Sequence, residues 1–247
     1  VRNPEKVFAA ALKAGEISAR PIMMKAACLG VEACDDSLLL SYYYDNTQGK
    51  QEGNRGSLSM DGRLFRNEAG KLSASAVILP SSIMFNSTQW AIKSRELIYG
   101  DASASIDGFS ISSHNQSIKV DGGWAKEKSD TLGIALDRFG LELLNSLTSK
   151  DMGIAGKVTG KAMIISPTME SAGILLNLLC DSTAFAGRNM GTLRLASVWE
   201  EEARKFNIVC RNLIEGRQTI NLMGDYYPSS KEIAGNIYAR IKDISYR

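Results

Sequence analysis

The chain of 247 residues contains a single histidine, His114. Any catalytic arrangement with a histidine base, such as a Ser-His-Asp triad, would therefore have to use this residue. Its neighbours in the stretch SISSHNQSI are serine, asparagine and glutamine, which are typical of a polar hairpin turn between two alternating segments. The sequence thus predicts a turn at His114, and we expect a protein that is not an enzyme.

Cysteine is also scarce, with four residues in the chain. Cys28 and Cys34 lie six positions apart, which is wider than the two-to-four-residue gap of zinc sites. Cys180 and Cys210 fall at alternating positions in ILLNLLC and FNIVC, and this pattern predicts small core hydrophobes. We therefore expect no metal and no cofactor, while pairing of Cys28 with Cys34 stays open.

An excess of charge of either sign is missing, because 29 basic and 27 acidic residues leave a net charge of +2. This balance gives no electrostatic footprint for nucleic acid, and an aromatic content of 7% argues against a base-stacking surface. No apolar run approaches the roughly 20 residues that cross a bilayer. The sequence starts at Val1, and we expect it to be a piece of a longer protein.

What the chain does have is apolar residues that alternate with polar ones over many short segments. Examples are KLSASAVIL, SIKVDGGW, DTLGIALD, GKVTGKAMII, TINLMG and GNIYARI. Alternation with a period of two indicates half-buried strands, and the turn motifs between them favour antiparallel hairpins. The glycines at strand positions 62, 122, 156, 160 and 224 indicate bulges or sharp bends. The sequence therefore predicts a mainly β fold. Its sheet would be strongly curved and mostly antiparallel, in an elongated U-shaped (taco-like) or sandwich-like body.

One or two short helices are expected beside this sheet. The segment NPEKVFAAALKAG has Asn3 as a possible N-cap, Pro4 at the first position and Gly15 as a stop signal, although a strand is nearly as well supported. The segment FGLELLNSLTSKD spaces Leu141, Leu144 and Leu147 as in a helix.

From about Leu79 onward, the order of several short motifs carries a resemblance to one family. The motifs are LPSSIMFNSTQW, AIKSRELIYGDASASIDGFSISSHNQSIKVDG, SDTLGIALDRFGLELLNSL, MGIAGKVTGKAMIIS, MGTLRLASVW and INLMGDYYP. In this order they resemble the TamB family, the translocation and assembly module subunit, in its Bacteroidetes-type form, which is related to the AsmA-like bridge proteins. The resemblance divides the chain into a β-rich section, 1–78, and a TamB-like repeat section, 79–247.

The resemblance implies a periplasmic scaffold that is anchored in the inner membrane and reaches an outer-membrane barrel protein of the assembly machinery. Members of the family act in outer-membrane protein assembly, in phospholipid transport between membranes, or in both. Their β-rich body is thought to enclose an apolar groove, so acyl lipid is an expected ligand. The family offers no catalytic residues to transfer.

The predicted groove face consists of large aliphatic residues at alternating positions. They are Ile118, Val120, Leu132, Ile134, Leu136, Ile154, Val158, Ile164, Leu193 and Leu195. Such a face can close into a dry sandwich core or stay open and hold acyl chains, and the sequence leaves both possibilities open. Open sheet edges also predict self-association of the isolated piece.

Two other functions compete with a groove-forming scaffold. An extracellular β-solenoid or adhesin-like module would carry its function in loops such as DNTQGKQEGNRG. A parallel β-helix enzyme that acts on polysaccharide would need clustered aspartates with arginine or lysine and a stacked repeat of fixed period, and neither is found.

Overall fold

A computed structural model describes residues 7–19, 22–46, 55–85, 88–125, 130–143, 153–165, 173–200, 202–227 and 235–241. The contacts divide the chain into two compact units. The first comprises residues 1–115 and 119–123, and the second comprises residues 116–118 and 124–247. The predicted boundary after residue 78 lies inside the first unit; as a division based on the resemblance, it stays a prediction.

The described residues of the first unit form nine strands. They are β1 Val7–Ala19, β2 Ile22–Cys34, β3 Ser37–Asp45, β4 Arg55–Arg66, β5 Leu72–Ile78, β6 Ser81–Phe85, β7 Thr88–Lys93, β8 Glu96–Gly100 and β9 Ser103–Ser113. A tenth strand, β10 Gln116–Ala125, has residues assigned to both units.

In the second unit, seven strands lie within the described ranges. They are β11 Thr131–Gly140, β12 Ala155–Ile165, β13 Gly173–Phe185, β14 Arg188–Glu200, β15 Lys205–Ile214, β16 Arg217–Tyr226 and β17 Gly235–Ile241. Each pairs with the next in antiparallel orientation. The mainly β, mostly antiparallel fold is confirmed. The antiparallel pairing also excludes a parallel β-helix for the described strands.

The helical alternative for NPEKVFAAALKAG is wrong from Val7 onward, because Val7–Ala19 forms β1; Asn3 and Pro4 lie outside the described residues. This strand pairs with β2 along almost its whole length, and Phe8, Ala10 and Leu12 lie opposite Ala33, Val31 and Leu29. An alanine-rich segment has a high helix propensity, but propensity is a weak preference that tertiary pairing overrides. In the second predicted helix, Phe139 and Gly140 end β11 and residues 142–143 are helical; the rest lies outside the described residues.

Alternation places two apolar rows of the first unit on one face of its sheet. A row of directly opposed residues runs through Phe8, Ala33, Leu38, Gly62, Ala76, Leu97 and Ile106. The next row on this face joins Ala10, Val31, Leu40, Met60 and Ile78. The opposite face is rich in serine and charged residues, as in the row of Ala9, Glu32, Leu39, Asp61 and Val77 and in that of Ser41 and Ser59.

Buried hydroxyl groups replace backbone partners where strands of the first unit are interrupted. The strands β5 and β6 both pair with β4 and are separated by Leu79 and Pro80. There the Ser94 hydroxyl accepts a hydrogen bond from the Ile78 amide at 2.8 Å, and the Ser81 hydroxyl donates to the Leu79 carbonyl at 2.7 Å. Buried polar backbone groups must be paired, so these serines permit a break in the ladder at little cost.

Bulges interrupt the ladders of the second unit. The register shifts between Leu136 and Phe139, between Ala155 and Lys157, between Cys180 and Ala184, and between Asn212 and Leu213. Gly156 and Gly160, where the sequence predicts bulges or sharp bends, have positive φ angles of 132° and 145°. Bulges bend the strands that carry them and increase the local twist, so the predicted curvature of the sheet is confirmed.

Candidate functional site: an apolar sheet face

One face of the second unit carries an uninterrupted apolar row across the seven strands that the structure describes there. Directly opposed residues along this row are Leu136, Gly160, Leu178, Leu195, Cys210, Leu222 and Ala239. Directly opposed residues in a ladder share a face, and so do residues two positions apart in one strand. We call the face that carries this row the apolar face, and the other side of the same sheet the polar face.

Seven of the ten predicted groove residues lie on the apolar face. Leu132 is opposite Ile164, Ile134 is opposite Ala162, Val158 is opposite Cys180, and Leu193 is also opposite Cys180. Leu136 and Leu195 belong to the row that defines the face. The register therefore brings together side chains that span positions 132 to 195 of the sequence.

The other three predicted groove residues are not placed on this face. Ile154 lies just before β12, outside a strand. Ile118 and Val120 are half-buried and lie two positions apart in β10, so they share one face of that strand. The boundary between the two units passes through β10, between these two residues.

Few hydrophobic side chains are buried in the part of the chain that the structure describes. They are Ala27, Ile78, Trp90, Ile92, Val158, Cys180 and Phe206. In contrast, Leu136, Leu178, Leu195 and Leu222 are all only half-buried. A closed sandwich interdigitates two inner faces at the density of a protein interior and would bury such leucines. Val158, Cys180 and Phe206 on the same face are buried, so the apolar face is partly accessible, along its row of leucines.

A cavity of about 380 Å³ lies on the apolar face at β15–β17. The side chains of Ile208, Cys210, Leu222, Tyr226 and Ile237 contribute to its lining, together with Gly224 and Gly235. The two glycines leave room where other residues would place side chains. Its size lies within the usual range of 300–1,000 Å³ for small-molecule sites, and its lining is apolar, as in such sites.

Three aromatic residues pack against one another beside this cavity. Phe206 is opposite both Trp199 and Tyr226 in the ladders of β15, with ring centroids 4.7 Å and 6.4 Å away. It is only 3% exposed, and its ring also lies over Gly173, where a Cβ atom would overlap it. Because Tyr226 lines the cavity as well, this cluster anchors one side of it.

The two thiols of the apolar face are perturbed by their surroundings. Burial raises the pKa of the Cys210 thiol. Burial, followed by the nearby Cys210 and Asp181, raises the pKa of the Cys180 thiol. Both groups are thus held in the neutral form, which fits the prediction that these cysteines act as small hydrophobes.

Cys28 and Cys34 lie on the face of the first unit opposite to its apolar rows. Cys28 is opposite Tyr43, and Cys34 is opposite Ser37. Both belong to β2, six residues apart, which separates them by ~20 Å at about 3.3 Å per residue. A disulfide requires Cα atoms within roughly 7 Å, so these two cysteines do not pair within one molecule.

The alternation also marks apolar-face residues that are absent from the predicted set. Leu176, Leu178 and Cys180 alternate in ILLNLLC, and Ile208 and Cys210 alternate in FNIVC, so their pattern could have identified them. The aromatic cluster has no such signal, because Trp199, Phe206 and Tyr226 are joined only by the strand register.

His114 occupies a two-residue turn with Asn115 between β9 and β10, as predicted. It is exposed, has a positive φ of 45°, and its Nδ1 atom lies 3.3 Å from the Ser113 hydroxyl.

Within the described ranges, no three histidine, cysteine or acidic side chains are grouped so that they could hold a metal ion. Nor is any helix there long and apolar enough to cross a membrane.

No family model matches the chain, and neither a curated protein nor a solved structure matches it significantly. The resemblance to the TamB family therefore stays a prediction that depends on the sequence motifs.

Proposed function

We propose that the apolar face of the second unit binds the acyl chains of lipids. In this proposal the chain is a non-enzymatic section of a translocation and assembly scaffold. It acts in phospholipid transport between membranes, in outer-membrane protein assembly, or in both. The observation that supports acyl binding is the row from Leu136 to Ala239, whose leucines are only half-buried.

The dimensions of the apolar face suit an extended acyl chain. Seven strands at a spacing of ~4.8 Å place the two ends of the row ~29 Å apart along the sheet. The cavity at β15–β17 offers a concave position along this path. Side chains on the face, such as Leu195 and Leu222, are uncharged. An acyl chain that covers them therefore does not have to displace water from charged groups of the protein.

The cellular setting in this proposal comes from the resemblance. It comprises a periplasmic location, an anchor in the inner membrane and an outer-membrane barrel as partner. The first unit, with its own apolar rows through Leu38 and Leu40, would offer a second surface of the same kind. Self-association through open sheet edges stays a prediction.

Two adjacent residues of β16 allow a matched test. Both residues line the cavity, but Leu222 lies on the apolar face, whereas Met223 is 48% exposed and has its side chain on the polar face. We expect L222D to lower the amount of co-purified acyl lipid at least tenfold, because a carboxylate would have to be desolvated beneath the bound chain. M223D should retain the lipid. Native mass spectrometry of detergent-free protein, followed by organic extraction, measures both.

Circular dichroism of the same variants distinguishes an open face from a closed core. On an open face, the carboxylate of L222D stays hydrated without ligand and the sheet remains folded. Unfolding of L222D with a folded M223D would indicate a closed core. Equal lipid content in L222D and wild type would also contradict the proposal.

A further inference from the structure

Three arginines share one cross-strand row on the polar face of the second unit. The row consists of Leu179, Arg194, Arg211, Asn221 and Arg240. Arg194 and Arg211 are directly opposite each other in the ladder between β14 and β15. The Cβ atoms of these two arginines therefore lie about 5 Å apart on neighbouring strands.

Such a pair is unfavourable without a counterion, because like charges directly opposite each other destabilise a sheet. Some other cations on the described strands do have carboxylate partners: Arg63 contacts Asp36 at 2.9 Å, and Lys205 contacts Asp225 at 3.2 Å. Within the described part of the chain, no carboxylate lies within 4.0 Å of the Arg194 or Arg211 guanidinium.

One acidic residue, Asp181, lies on the same face two positions from Leu179 in β13, but it forms no ion pair with Arg194 or Arg211. The residues two positions away on the same face of β14 and β15 are Thr192, Ala196, Val209 and Leu213. Asp225, which lies two strand positions beyond Met223 on β16, is engaged by Lys205. The positive charge at Arg194 and Arg211 is therefore left for an external anion.

A cavity of about 420 Å³ lies at this pair. It is lined by both guanidinium-bearing residues and by Asn177, Leu179, Ala196 and Val209. Asn177 is exposed and adds an amide that can donate hydrogen bonds. A concave site with two arginines and one amide offers several donors to a single oxyanion.

We propose that Arg194 and Arg211 form a clamp for a phosphate group. The planar guanidinium fork binds phosphate oxygens in pairs, and a tetrahedral phosphate has enough oxygens to be shared by two forks. Arg240, in the same row, adds positive charge nearby. The phosphate belongs either to a soluble phosphorylated compound or to a phospholipid headgroup. This inference is independent of acyl binding, because it concerns the opposite face of the sheet.

The test compares R194Q and R211Q with R188Q, which removes the same charge from the exposed start of β14. Titration calorimetry with inorganic phosphate should show binding to wild type and R188Q, and at least tenfold weaker binding to R194Q and R211Q. The double variant R194K/R211K keeps the charge but lacks the forks, and it should also bind at least tenfold more weakly.

Thermal melting provides a second measurement on the same proteins. Phosphate should raise the Tm of wild type with increasing concentration, since a ligand that binds the folded state stabilises it. In phosphate-free buffer of low ionic strength, R211Q should melt above wild type because the repulsion is gone, whereas R188Q should not. Unchanged phosphate binding in R194Q and R211Q, equal loss in R188Q, or full binding by R194K/R211K would overturn the clamp.

Vesicles separate the two sources of phosphate. Phosphatidylglycerol vesicles that sediment with wild type but not with R194Q would assign the site to a lipid headgroup, with phosphatidylcholine vesicles as the zwitterionic comparison. Binding of inorganic phosphate without binding to either vesicle would assign it to a soluble phosphorylated compound.

Discussion

Replacement of Phe206 by alanine is expected to destabilise the second unit by about 3–5 kcal/mol. Phe206 is 3% exposed and is the central ring of the cluster with Trp199 and Tyr226, which flank it on both neighbouring strands. Its removal would lose two ring contacts and uncover the backbone at Gly173. The half-buried leucines of the apolar face provide no comparable side chain to refill the space.

Urea denaturation followed by far-UV circular dichroism measures this loss. Phe185, at the end of β13, is 55% exposed and provides the matched control. F185A should change the free energy of unfolding by less than about 1 kcal/mol, as is usual for exposed positions. Similar losses in F206A and F185A would show that the cluster does not stabilise the sheet as described.

Replacement of Gly160 by alanine should lower the free energy of unfolding by about 3 kcal/mol or more, although it adds a single methyl group. Gly160 has a φ of 145°, a conformation that L side chains rarely adopt and that costs on the order of 1–3 kcal/mol. A Cβ atom there would also overlap the Asn177 carbonyl oxygen and lie 2.9 Å from the Leu178 Cα atom. These are backbone atoms of β13, so relief requires the two strands to move apart.

Gly15 in β1 is the control, because a Cβ atom at that position meets nothing within 4 Å. G15A should be neutral or stabilising by up to about 1 kcal/mol, since alanine restricts the unfolded chain. The measurement is the urea midpoint of each variant. If G160A were as stable as G15A, the close approach of β12 and β13 would be contradicted.

The sequence was sufficient to predict strands and their faces where alternation is strict. In KLSASAVIL and GKVTGKAMII, the period of two assigns each residue to a face before any pairing is known. The turn at His114 was predictable for a similar local reason, because polar residues separate two alternating segments. Val7–Ala19 was ambiguous because its many alanines suit a helix and its strand is specified by pairing with β2.

Features that depend on register could not be predicted from the sequence. Arg194 and Arg211 are 17 positions apart, and nothing local indicates that they are directly opposite each other. The same holds for Trp199, Phe206 and Tyr226. Turn lengths and bulges, such as the shift between Asn212 and Leu213, set which residues meet, and a shift of one residue would move them to the other face.

The central claim is that the apolar face is open to an acyl chain, and the native cysteines provide its most direct test. Cys210 lines the cavity on this face, whereas Cys28 and Cys34 lie on the serine-rich side of the first unit. The measurement is the alkylation rate of each thiol, by mass spectrometry of peptides, with and without a saturated fatty acid. Because burial raises the pKa of the Cys210 thiol, its alkylation rate should continue to increase with pH to a higher pH than the rate of an ordinary exposed thiol. The account predicts that the fatty acid slows alkylation of Cys210 at least tenfold and leaves Cys28 and Cys34 unchanged. An unchanged Cys210 rate, or an equal slowing at all three thiols, would contradict it.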